Sequence, residues 1–370
     1  MRVLRLVVPA VALVAVAGCA HRGPVHEVRF DELLITGDLE LDRLNDEELF
    51  AAGTTFYAAE EFAQAARYFG RICDFHPSSK HRRAALYNAG LSLEKVKAWD
   101  DAYLRFAELA DAARGTGDAL DAAFRVAETL YHLERFDDAV ATLNTIAERK
   151  DVSIDRRIEA KVQKGICELE SGKTDQAEVT LRKTIDEWGA HPEKDVIDDY
   201  FPAQAQFFLG EIFRVHYEGV QLDGTKDTEK LAADLEYKSE LLLSSQGHYL
   251  RAIRIGNGYW ATAAGQRIGG LYESMYVHLV NAPAPAELAD EEKEVYRAEL
   301  RKKIRVLITK AITVYERTLE AAERIGSSSP FVEDTKKSLQ RMKDLLLAEA
   351  NAEDAPPPPP PPAEGKVPHT

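Results

Sequence analysis

Three residue types in this chain could do chemistry: thiols, imidazoles and paired carboxylates. An apolar run from Leu6 to Ala17 ends in Gly18-Cys19, and a thiol is nucleophilic once ionised. The other candidates are weaker. Ten histidines are scattered along the chain, His76 and His81 flank an inter-helix turn, and no Cys/His pairing has the spacing of a zinc site. Adjacent carboxylates such as Glu60-Glu61 and Asp100-Asp101 are pairs that could move protons, but they stand where helix ends and turns attract charge. IGNGYW, from Ile255 to Trp260, has two glycines without the strand–helix context of a phosphate loop, so it predicts a turn. With no nucleophile elbow either, the sequence predicts no catalytic residue, no metal and no cofactor: the protein is not an enzyme.

Cys19 needs a different explanation. Arg2 and Arg5 precede the apolar run, which is too short to span a bilayer at about 20 residues per crossing. Val16-Ala17-Gly18-Cys19 places a branched residue and two small ones before the cysteine, and this resembles the signal of a bacterial lipoprotein. The resemblance implies that residues 1–18 are removed and that Cys19 becomes the acylated first residue, carrying palmitate-type chains. Ala20 rather than Asp follows, which implies the periplasmic face of the outer membrane. One acyl chain anchors only marginally, so the several chains of such a lipoprotein matter. Net charge points away from other polyanions. With 47 Lys and Arg against 62 Asp and Glu, the formal charge of −15 argues against nucleic acid and against adhesion to anionic lipid.

The elements come from a repeat. Ala65, Ala102, Ala139 and Ala177 recur at spacings of 37, 37 and 38, and Phe69, Phe106, Leu143 and Leu181 follow one helical turn later. Leu49, Leu86 and Ala123 form a column in the preceding helices, as do Phe56, Leu93 and Leu130. Each unit is two antiparallel helices. Gly53, Phe56, Ala65, Phe69 and Pro77 in LFAAGTTFYAAEEFAQAARYFGRICDFHPSS fall at the spacings of a tetratricopeptide repeat, and the unit resembles that family: small residues let helices approach, rings fill the gap and Pro77 stops the second helix. In the fourth unit Val162, Ile166 and Leu169 predict a phase shift of one residue in the first helix. Asn45 with Glu48 predicts a capping box, and Ser79 and Asp100 mark further helix starts.

From Tyr200 two longer units follow, with Gly210 and Gly269 in the small-residue position and Tyr249 equivalent to Tyr315. A last helix from Ser329-Pro330 to about Ala350 caps the stack. The expected fold class is therefore all-α: an α-solenoid of tetratricopeptide-type hairpins. Residues 19–44 form a lipid-anchored linker, 45–190 about four units, 191–350 two elongated hairpins plus a capping helix, and 351–370 a disordered proline-rich tail. Within the linker, VRFDELLITGDLELD alternates and suggests a short strand or hairpin. Seven consecutive prolines, Pro356 to Pro362, are expected to be extended polyproline, roughly 20 Å at about 3.1 Å per residue, as either a plain tail or a recognition ligand. Cys73 and Cys167 stand three repeats apart, beyond disulfide reach, and read as small buried apolar residues.

A repeat without chemistry offers a surface. The family resemblance places Phe50, Tyr87 and Phe124 in one groove column of the first helices and Tyr57 and Tyr131 in a second, with Glu47, Glu94, Asp121 and Glu128 around them. These rings either anchor a protein partner or pack between repeats. The expected function is a non-catalytic, lipid-anchored scaffold docking protein partners of the cell envelope, its oligomeric state open. LEYKSELLLSSQGHYLRAI, AAGQRIGGLYESMY and YRAELRKKIRVLITKAITVYERTLEAAERIG resemble the tetratricopeptide lipoproteins of the adventurous gliding-motility machinery, over about residues 200–345. Alternatives are a lipoprotein of outer-membrane β-barrel assembly and a cell-wall lytic enzyme on a helical superhelix. Replacing Cys19 with Ser should abolish incorporation of labelled palmitate and deplete the outer-membrane fraction; unchanged labelling overturns the lipoprotein reading.

Overall fold

A computed structural model describes residues 38–191, 198–222, 228–285 and 287–353. All its regular structure among these residues is helical. A 3-10 turn at Leu41–Arg43 precedes α1 (Asp46–Ala58), α2 (Phe62–Phe75), α3 (Arg82–Lys95), α4 (Trp99–Ala112) and α5 (Gly117–His132). Then come α6 (Phe136–Ala147), α7 (Ile154–Glu170), α8 (Thr174–Ala190), α9 (Tyr200–Gly219), α10 (Thr228–Ile255), α11 (Gly258–Asn281), α12 (Asp290–Arg324) and α13 (Pro330–Glu353). Two compact units divide them, α1–α5 up to Arg135 and α6–α13 from Phe136. Within each unit consecutive helices pack on one another as hairpins, and in the second unit α7, α9, α11 and α13 also touch in series as one layer. This is the all-α, tetratricopeptide-type stack of hairpins that the repeat columns imply.

Local signals start and stop these helices. Asn45 and Glu48 make a reciprocal capping box, Asn45 Oδ1 accepting from Glu48 N at 2.9 Å and Glu48 Oε2 from Asn45 N at 3.0 Å. Ser79 Oγ accepts from the backbone N–H of His81, just ahead of α3, whereas Asp100 lies inside the first turn of α4 rather than at its cap. The tight turns within hairpins put Glu60, Lys97, Glu134 and Gly172 in the left-handed region, with φ of 61°, 60°, 57° and 78°. Their spacing of 37, 37 and 38 repeats that of the alanine column. Only the fourth uses glycine, the residue that adopts this geometry without Cβ strain.

The core is built on one contact. A Cβ added to Gly53 would lie 2.8 Å from the Phe69 ring, and one on Gly90 or Gly210 would lie 2.5 Å from the Phe106 or Tyr249 ring. At Gly269 the Tyr315 ring is closer still. Each ring therefore lies directly on a glycine of the facing helix and is at most 1 % exposed. Ala65, Ala102, Ala139, Ala177 and Ala311 are fully buried one turn before the large residue of their helices. In α10 Ser245 takes that position, and its hydroxyl donates to the Gly210 carbonyl at 2.9 Å.

Gly165 corrects one expectation. A Cβ there would meet Leu181 at 2.7 Å, so α7 stays in register and has no phase shift. What changes is polarity. Three residues after the small residue, where other units carry Phe56, Leu93, Leu130, Phe213 or Tyr272, α7 carries Glu168. Its side chain is 1 % exposed and faces Lys164 Nζ at 3.7 Å, a costly residue for a core position.

In the second unit the tyrosines add a polar link. The Tyr249 hydroxyl donates to Glu211, which also accepts from Arg267 Nε at 3.0 Å and from Arg214 at 2.9 and 3.1 Å. One repeat on, the Tyr315 hydroxyl donates to Glu273 Oε2 at 3.1 Å, and Glu273 accepts from Arg341 at 2.7 and 3.0 Å. Each glutamate thus ties its own hairpin's second helix to the first helix of the next. Lys238, fully buried, closes α9 by donating to the Tyr217 and Val220 carbonyls at 2.6 and 2.9 Å, and burial holds its pKa below the usual lysine range.

The linker expectation is corrected where the chain is described. Asp38, Glu40 and Asp42 do alternate, but not as a strand: they reach Arg67 at 2.6 Å, Tyr68 at 2.7 Å and Arg71 at 2.5 Å on α2. Cys19, the rest of VRFDELLITGDLELD before Asp38 and Pro356–Pro362 lie outside the described residues. Cys73 and Cys167 are free and buried, and burial pushes each thiol up to about 12.

Because the ring occupies the space a methyl would need, Gly269→Ala should lower stability by about 1–3 kcal/mol. Gly247→Ala, at a helical site where only the end of the Arg251 side chain comes within 4 Å, should be neutral or stabilising. Thermal melts that fail to separate the two variants would remove the glycine–ring contact from its central place.

Candidate functional site

The candidate surface belongs to the first unit and is formed by α1, α3 and α5. Side chains join these helices directly. His81, at the head of α3, stacks on Phe50 of α1 with centroids 4.6 Å apart and planes at 17°, and His81 Nε2 lies 2.8 Å from Glu47. Lys80 also pairs with Glu47. Between α3 and α5, Arg125 reaches Glu94 at 3.5 Å. Phe50 of α1 thus meets the head of α3, and Arg125 of α5 meets Glu94 of α3.

The five ring positions do not share one fate. Phe50 is half-buried, with Phe69 edge-on at 5.5 Å. Tyr87 is half-buried against Phe106 at 5.8 Å, and Tyr57 meets Phe62 at 5.3 Å. Tyr131 is half-buried and stands edge-on to His132 at 5.6 Å. Phe124 is only 7 % exposed and so contributes packing rather than accessible surface. Phe50, Tyr57, Tyr87 and Tyr131 both pack and show an edge to solvent. Periodicity could not separate these roles, since the same side of a helix supplies both.

The acidic neighbours are mostly engaged. Glu47 is shared between Lys80 and His81, and Glu128 pairs with Arg125 at 2.7 Å. Glu94 is the exception in chemistry. Burial pushes its carboxyl up to about 7, Arg125 opposes the shift and the Glu128 charge adds to it. Among the described residues no group of His, Cys, Asp and Glu could hold a metal ion, and no helix is long and apolar enough to cross a membrane.

Sequence reasoning did not find the polar hub at Glu211. Tyr249 and Tyr315 are equivalent, but Glu211 follows its glycine by one position and Glu273 follows Gly269 by four, so no column aligns them. The Glu211 carboxylate lies below the usual range: burial works against ionisation, and Arg214 and Arg267 outweigh it. His248 is stacked on Phe213 at 5.3 Å and bonded to Gln206 at 3.1 Å, and burial with Arg251 and Arg182 nearby brings its pKa to about 3, so it stays neutral.

No family model and no curated protein matches the chain. Among solved structures it is similar to apo RapI, at 10 % identity and TM-score 0.44, over 84 % of this chain and all of that one. It is also similar to a TPR repeat protein from Bacteroides fragilis, at 14 % identity and TM-score 0.30, over 71 % of this chain and 98 % of that one. Yeast Tom70 matches at 11 % identity and TM-score 0.26, over 84 % of this chain and 73 % of that one. Likenesses this distant say nothing of what the chain binds.

Glu94 generates a pH dependence. Its folded pKa lies above the unfolded value of about 4.3, so the folded state holds the proton more tightly between the two. Stability of the first unit should fall as pH rises through that window, by about 3 kcal/mol between pH 4 and 8. Glu94→Gln should flatten this slope in denaturant titrations at several pH values; an unchanged slope would show that Glu94 is not its source.

Proposed function

We propose that this protein is a non-catalytic scaffold, anchored through acyl chains on Cys19 to the periplasmic face of the outer membrane, that docks protein partners of a bacterial envelope complex. The observation that carries the docking part is the ring column on α1, α3 and α5, where Phe50, Tyr57, Tyr87 and Tyr131 keep an exposed edge while packing holds them rigid. Rigid aromatics lose little entropy on contact, which makes them effective anchors of an interface. A net charge of −15 favours protein over nucleic acid as partner. The lipoprotein signal supports the anchor. The likeness of residues 200–345 to gliding-motility lipoproteins supports a place in such machinery as the narrower form of the proposal.

Photo-crosslinkers at Tyr57 and Tyr131 in the native cell, followed by partner identification, test this reading. We expect one or a few envelope proteins, lost from the probe at Tyr131 when Tyr57 and Tyr87 are replaced with Ser while helicity and melting temperature hold. Adducts that survive these substitutions would place docking elsewhere. Recovery of a β-barrel assembly complex would favour that machinery over motility.

A further inference from the structure

In the second unit α9, α11 and α13 each carry an aromatic residue in their first turn: Tyr200, Tyr259 and Phe331. Their rings meet across the helix boundaries. Tyr200 and Tyr259 lie 6.1 Å apart at 33°, and Tyr259 and Phe331 lie 5.5 Å apart at 75°. The floor beneath them is fixed, because Trp260, 6 % exposed, packs against Tyr200 at 5.5 Å and against Phe207 at 5.1 Å. Tyr259 is 39 % exposed and the adjacent Ile325 is 56 % exposed. Beside the ladder a hollow of about 550 Å³ is bounded by Gly258, Tyr259, Ile325 and Ser327 to Ser329. Ser329 Oγ is buried and has no hydrogen-bond partner.

Stepped rings next to hydroxyl donors suit one ligand chemistry. A polyproline helix has no internal hydrogen bonds, offers every carbonyl to a donor, lays its ring faces on aromatics and has little conformational entropy to lose. This chain contains seven consecutive prolines, Pro356–Pro362, the composition that favours that helix. Its own copy cannot lay that segment along the ladder. α13 carries the chain from Phe331 to Glu353, about 33 Å away at 1.5 Å per residue, and residues 354–362 could span at most about 32 Å even fully extended. A second copy has no such limit.

We propose that the ladder of Tyr200, Tyr259 and Phe331 binds Pro356–Pro362 of a second copy of this chain. Ladder and ligand are different surfaces, so the contact is heterologous and can propagate from copy to copy. Unlike the docking face of the first unit, it uses no residue of α1, α3 or α5.

Sedimentation of the full chain, purified in detergent, should show association that grows with concentration. Replacing Pro356–Pro362 with serines should abolish it, and so should Tyr259→Ser combined with Phe331→Ser. The proline replacement changes no residue of the described helices, and an unchanged melting temperature separates its effect from loss of fold. Mixing the two variants should restore a complex that stops at two chains, since one supplies only the ladder and the other only the prolines. A chain that stays monomeric at submillimolar concentration, association indifferent to both changes, or a mixture that remains unassociated would each overturn the proposal.

Discussion

An aromatic ring lying on a glycine of the facing helix sets the distance between the two helices of a hairpin. Phe69 on Gly53, Phe106 on Gly90, Tyr249 on Gly210 and Tyr315 on Gly269 share this geometry, with Leu181 on Gly165 as its aliphatic form. Two physical terms meet there. Burying the ring supplies apolar area, at about 25 cal/mol per Å², and the missing Cβ lets the helix axes close until the ring has contacts on both sides. The fully buried alanine one turn earlier admits the same approach from the second helix. Between hairpins of the first unit, Phe50 of α1 stacks on His81 at the head of α3 and Arg125 of α5 reaches Glu94 of α3.

The second unit adds charge to that apolar scheme. Glu211 with Tyr249, Arg214 and Arg267, and Glu273 with Tyr315 and Arg341, bury carboxylates that are compensated on several sides. Removing one partner from such a group leaves an uncompensated buried charge, typically worth 3–5 kcal/mol. The longer helices of this unit are thus cross-tied in addition to being packed. Glu94 and Glu168 show the opposite balance, each a buried carboxylate with one distant cation at 3.5 or 3.7 Å. They mark the places where this stack departs from the stability optimum, and Glu94 does so beside the ring column.

Packing and recognition draw on the same rings. Tyr87 lies edge-on to Phe106 and still presents an edge to solvent, and Tyr259 bridges two neighbouring helices while remaining 39 % exposed. A ring held on one side by its own core is preorganised for a ligand on the other. The first unit thus carries partly exposed rings on α1, α3 and α5, and the second carries them at the starts of α9, α11 and α13.

The repeat period, the hairpin pairing and the glycine, alanine and ring columns could be read from residue spacing, because each reflects a contact inside one hairpin and recurs whenever the hairpin recurs. The capping box at Asn45 was equally local. Residues that act between hairpins were not legible. Glu211 and Glu273 sit at different offsets from their glycines, Phe124 and Tyr87 share a column but differ in exposure, and the alternation of Asp38, Glu40 and Asp42 looked like a strand when its cause is three partners on α2. The ladder of Tyr200, Tyr259 and Phe331 draws on three helices whose starts are separated by loops and helices of unequal length. Sequence by itself determined which helices pair and what fills each pair, since those distances follow from period and side-chain size. Only the tertiary structure decided which rings keep an open edge and which charges meet, because both depend on how successive hairpins are offset.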